Sequence, residues 1–78
     1  MNLNSCIKGG DEQKRSGWIL QFAYDATFLE TFKSVVDYRH REWRPDDKTW
    51  WVDELYEQEL DILFDNWYAL ARQQGTLL

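Results

Sequence analysis

Residues 41–53 read REWRPDDKTWWVD. Pro45 presets φ for the second position of a turn, and Asp46-Asp47 supply turn chemistry. Residues 41–44 and 49–52 are therefore expected as the two short strands of a hairpin. With residues 45–48 as the loop, Arg44 faces Thr49, Trp43 faces Trp50 and Glu42 faces Trp51. Cross-strand partners share one side of a sheet, so Trp43, Trp50 and Val52 form the inner face. Trp51 points the other way, beside Glu42, Arg44 and Thr49. A slip of one residue would exchange the two tryptophans and still leave one outward. Two readings of that outward ring stand side by side. Either the N-terminal segment or the end of the last helix folds over it, or it is an aromatic platform edged by arginine. Such a platform suits the stacking of a base or anchoring in a partner's pocket.

Upstream, residues 17–23 (GWILQFA) are rich in β formers and place Trp18, Leu20 and Phe22 on one face. Asp25 then offers a helix N-cap. Phe28, Leu29, Phe32, Val35 and Val36 follow the spacing of an amphipathic helix running to about Tyr38. Downstream, Asp53 caps a second helix whose apolar stripe is Tyr56, Leu60, Leu63, Phe64, Trp67 and Ala71, with Gly75 as its stop. Residues 1–16 are polar, include Gly9-Gly10, and are expected as a flexible N-terminal tail. Residues 77–78 are expected as a C-terminal tail. The expected architecture is one α+β domain over residues 17–76 in the order βαββα. Its three-stranded sheet would be one strand plus the hairpin, with two helices packed on one face.

Seventy-eight residues suit a single domain, and 13 aromatic side chains, five of them tryptophan, compensate for the small size of its core. The net charge is −5. Its distribution is bipolar. Residues 53–65 hold six acids and no base, so the remainder sums to +1. Within that remainder, Arg39, Arg41 and Arg44 fall inside six residues. The single cysteine, Cys6, permits no internal disulfide. The first residues lack the apolar core of a signal peptide, and no run approaches the ~20 apolar residues of a membrane span. The expectation is a cytoplasmic protein with no membrane partner.

Catalytic and metal chemistry find little support. His40 is the only histidine, so an ordinary zinc site is not expected. Ser34, Asp37 and His40 recur every three residues, a spacing that does not set up a triad. No phosphate loop follows Gly9-Gly10. No enzyme activity, metal or cofactor is expected.

The pattern FAYDATFLETFK followed by R-x-W-x-P-x-x-K-x-W-x-V resembles the small HARP-type module attached to annealing helicases, with stand-alone relatives in phages. The matching residues are Phe22, Tyr24, Phe32, Lys33, Arg41, Trp43, Pro45, Lys48, Trp50 and Val52. The resemblance implies a compact α+β fold and a role in DNA metabolism, recognising single-stranded or branched DNA or a DNA-processing protein complex. On that reading Lys33, Arg39, Arg41, Arg44, Lys48 and Trp51 are the contact surface. These 78 residues carry no helicase segment, and their second helix is acidic.

That acidic helix supports an alternative. Glu57, Asp61 and Asp65 recur at i, i+4 and i+8, with Glu54 nearby. Such a row either keeps the surface soluble or presents a line of negative charge to a basic protein, as an inhibitor imitating nucleic acid would. A third reading is a homodimer in which Trp51 buries against its mate.

Overall fold

The computed structural model describes residues 1–76, with side chains through Gln73. The expected C-terminal tail, residues 77–78, lies outside the described residues. Four antiparallel strands form one sheet in the order β1-β2-β4-β3. They are β1 (Ser5–Gly10), β2 (Ser16–Gln21), β3 (Arg41–Arg44) and β4 (Thr49–Asp53). Three α-helices accompany them: α1 (Ala26–Val35), α2 (Glu57–Leu63) and α3 (Trp67–Thr76). Short 3₁₀ turns at Tyr38–His40 and Glu54–Tyr56 lead into β3 and α2.

The expectation of three strands and two helices is thus corrected twice, and the first correction concerns residues 1–16. They are not a flexible tail. Residues 5–10 pair with β2 along their full length, from Ser5 opposite Gln21 to Gly10 opposite Ser16. The hairpin loop is closed by Asp11, whose carboxylate accepts the Arg15 amide (2.8 Å) and the Arg15 guanidinium (2.8 Å). The Lys14 amide returns to the Asp11 carbonyl at 3.0 Å. The segment looks unstructured in sequence because β1 has only Cys6 buried in the core, while Ile7 faces outward and Gly9-Gly10 bury no side chain. Its strand identity comes from pairing and not from its own apolar pattern.

The second correction concerns the last helix. It breaks after Leu63: Phe64 turns to extended backbone, and α3 starts afresh at Trp67. The cause is the N-terminal segment, which plugs the break. The Asn66 carboxamide accepts the Leu3 amide (2.8 Å) and donates to the Leu3 carbonyl (3.0 Å), while the Asp65 amide donates to the Met1 carbonyl (3.1 Å). The Asp65 amide at the break thus finds its acceptor in Met1, and the Asn66 side chain ties the Leu3 backbone to the same place. Gly75 does not end α3, which continues to Thr76.

The β3–β4 hairpin has the expected register, with Glu42 opposite Trp51, Trp43 opposite Trp50 and Arg44 opposite Thr49. Asp25 caps α1 by accepting the Phe28 amide at 2.9 Å. That helix stops at Val35, short of Tyr38, because the Asp37 carboxylate takes the Arg39 amide and opens the 3₁₀ turn. The core lies between one face of the sheet and the helices. Cys6, Trp18, Leu20 and Val52 supply the sheet side; Phe32, Val36, Leu60, Leu63, Phe64 and Trp67 supply the helix side, and Leu3 closes it. Burial in this apolar setting pushes the Cys6 thiol up to about 11.

Candidate functional site: an aromatic groove

Trp51 settles the question of the outward tryptophan. It does point away from the helices, yet it is 0% exposed. The β1–β2 hairpin roofs it. Its indole N–H donates to the Gly9 carbonyl at 3.1 Å, and the Arg15 guanidinium lies 5.0 Å above the ring. Beneath that roof Asp53 is buried, accepting the Leu55 amide (3.0 Å) and facing His40 Nδ1 (3.0 Å) and Arg15 (4.0 Å). Burial by itself would raise the Asp53 pKa. The Leu55 amide, His40 and Arg15 outweigh it and hold the carboxyl below its ordinary range. Trp51 is therefore a second small core, and neither a platform nor a dimer contact.

The exposed aromatic surface is on the helix side, at the end of the sheet. β3 is an edge strand, so no further strand covers the ring of Trp43, which is 47% exposed. It leans on Trp50 with ring centroids 5.1 Å apart, and Trp50 in turn meets the buried Phe32 at 5.2 Å. Across from them, Phe22 and Tyr24 leave β2, and α1 contributes Leu29 and Lys33. Together with Asn4, Gln21 and Lys48, these side chains line a groove of about 550 Å³. Tyr24 is 81% exposed at its mouth. The Lys33 ammonium stands 5.8 Å from the Trp50 ring centroid. Lys48 approaches from the β3–β4 turn with φ 56°, a left-handed conformation that favours glycine or asparagine.

Of the six expected hairpin contacts, only Lys33 and Lys48 converge here. Arg41 caps the carboxyl end of α1, donating to the Lys33 carbonyl (3.3 Å) and to that of Val36. Arg39 pairs with Asp37 at 3.1 Å. Arg44 lies near Asp47 (3.7 Å), beside a second hollow that also contains Asp11, Glu12, Glu42 and Asp46. Trp51 is sealed. The groove residues missed in sequence are Asn4, Gln21, Phe22, Tyr24, Leu29, Trp43 and Trp50. Trp43 sits on the edge strand β3, where an inward ring still reaches the sheet margin.

The acidic row is also redistributed. Glu57 accepts the Trp18 indole N–H at 2.8 Å and Glu54 pairs with Lys8 at 2.8 Å. Asp65 lies past the end of α2, 3.6 Å from the Met1 amino group, so the i, i+4, i+8 ridge is interrupted. Asp61 remains exposed on α2. The three residues of the spaced Ser-Asp-His set go to separate partners: Ser34 to the Thr31 carbonyl, Asp37 to Arg39 and His40 to Asp53. Among the described residues no group of three His, Cys, Asp or Glu side chains is placed to hold a metal ion. Nor is any described helix long and apolar enough to cross a membrane.

No family model, curated protein or solved structure matches this chain. Those comparisons leave the resemblance to the HARP-type module where the sequence placed it.

Proposed function

We propose that the protein is a non-enzymatic binding module of DNA metabolism that holds single-stranded DNA in the aromatic groove. The observation that carries this reading is the convergence of the half-exposed Trp43 ring, Trp50 and two lysines on one apolar trough. Stacking on aromatic rings suits unpaired bases of any sequence, and lysines beside the rings take the flanking phosphates. In duplex DNA the base faces are already stacked on one another, so single strands and the open arms of branched DNA fit best. Asn4 and Gln21 on the groove wall add amide donors and acceptors that can meet a base edge.

The test is a titration with oligodeoxythymidylate followed by tryptophan fluorescence at several salt concentrations. The reading expects saturable quenching, with log affinity falling with log salt at a slope near −1.4 if two phosphates are neutralised, each contributing about −0.7 on a single strand. Trp43→Ala should weaken binding by about 1–3 kcal/mol, the usual worth of one stacked base. Lys33→Glu combined with Lys48→Glu should abolish it. Quenching that persists unchanged in both variants would remove the groove from consideration.

A further inference from the structure

A second cleft opens between α2 and α3. Trp18, Trp67 and Ala71 give it an apolar floor, Tyr68 rises beside it 57% exposed with Arg72 5.7 Å from its ring, and Glu57 and Asp61 stand on the α2 side; its volume is about 360 Å³. The floor is rigid. Trp18 and Trp67 meet edge to face at 5.7 Å, and Glu57 pins the Trp18 indole. Trp67 is 6% exposed, and its indole N–H has no acceptor among the described residues. Leu55 (75% exposed) on the 3₁₀ turn before α2 and Ile62 (81% exposed) on α2 add two apolar side chains seven residues apart.

We infer that this cleft and the adjoining face of α2 dock a basic amphipathic helix of a protein partner. Charge chooses the occupant. The cleft lining carries two carboxylates, Glu57 and Asp61, against one cation, Arg72, and Asp61 has no ion pair among the described residues. A nucleic-acid strand is repelled there, whereas lysine or arginine flanking an apolar stripe is attracted. Shape points the same way. Two helices meeting over an apolar floor offer a seat for a third, with leucine-like side chains in the cleft and basic ones reaching Glu57 and Asp61. This site does not rest on the groove reading, because it lies by Trp18 in the first half of β2, while the groove begins at Gln21 where β2 ends.

The experiment titrates the full chain, by calorimetry, with a synthetic helical peptide bearing leucines at i, i+3, i+4 and i+7 and lysines elsewhere. A scrambled peptide of the same composition is the comparison. Saturable one-to-one binding of the amphipathic peptide is expected, at least about tenfold tighter than that of the scramble. Asp61→Lys and Tyr68→Ala should each weaken it by about tenfold or more, since like charges brought together across an interface are costly and an exposed aromatic anchor is lost. Both residues are exposed, so these variants should keep the fold. Glu12→Lys, the same charge change on the β1–β2 turn, should leave binding unaltered, as should Lys33→Glu. Equal binding of the scramble, or equal losses with Glu12→Lys, would overturn the inference, leaving only nonspecific charge attraction. Sedimentation showing that Asp61→Lys disperses a dimer of the chain would overturn it too, by assigning the cleft to a second copy.

Discussion

A methyl group added to Gly17 would stand 2.3 Å from the Val52 carbonyl oxygen and 2.6 Å from the Trp51 indole nitrogen. Both obstacles are fixed, one as backbone and the other as a sealed ring. Gly17→Ala should therefore destabilise the fold by about 1–3 kcal/mol in urea unfolding, the range for overpacking a filled core. Gly10→Ala, whose added methyl meets nothing nearer than 3.4 Å, should stay within about 0.5 kcal/mol. This pair tests whether Trp51 is a packed core residue. Lys48 makes the complementary case, for function against stability. Its left-handed backbone costs about 1–2 kcal/mol in a residue with a Cβ, and glycine escapes that cost while losing more chain entropy. Lys48→Gly should leave the melting temperature equal or higher and yet weaken DNA binding several-fold. A variant that bound DNA as tightly as the parent would show that the strained lysine serves something else.

At the scale of elements, the fold depends on contacts between the two ends of the described chain. Asn66 satisfies both the amide and the carbonyl of Leu3, so Asn66→Ala leaves those groups unpaired next to the core. A cost of about 1–3 kcal/mol is expected, with faster hydrogen exchange at the Leu3 amide. The Asp53 cluster sets the acid limit. A carboxyl held below its ordinary value stabilises the fold fully above about pH 4, and that contribution is lost as pH falls through the lowered folded-state pKa. Asp11, half-buried but held low by the Arg15 amide and guanidinium, acts in the same direction. Stability should thus fall steadily below about pH 4, and Asp53→Asn should flatten that dependence in urea midpoints measured from pH 5 to pH 2.5. The elements that could be read in the sequence are those whose local chemistry agrees with their place. These include the Pro45 turn and its register, the Asp25 cap, and the stripes of α1 and α2. β1 could not be read, because its strand character is conferred by β2 and by the roof over Trp51. The break at Phe64 could not be read either, because the apolar stripe runs through it unchanged and only the Leu3–Asn66 contact reveals it.

Over the whole molecule, the first hairpin seals Trp51 on the outer sheet face, and both proposed recognition sites lie on the helix side. The cationic groove and the acidic cleft lie at opposite ends of β2, with Trp18 and Phe22 four residues or roughly 13 Å apart. Of the residues that charge selected, Lys33 and Lys48 line the groove, whereas Arg39, Arg41 and Arg44 cap or pair within the fold. Exposure of Trp43 follows from strand order, which is fixed only once β1 is known to occupy the far edge. A bipolar molecule of this kind would hold an open DNA strand at one end and a protein helix at the other. The most direct measurement is a nitrogen-15 correlation spectrum of the five indole N–H signals during titration with oligodeoxythymidylate. The groove account predicts shifts at Trp43 and Trp50, while Trp51, Trp18 and Trp67 stay in place. No shift at tens of micromolar protein, or shifts confined to Trp18 and Trp67, would contradict it.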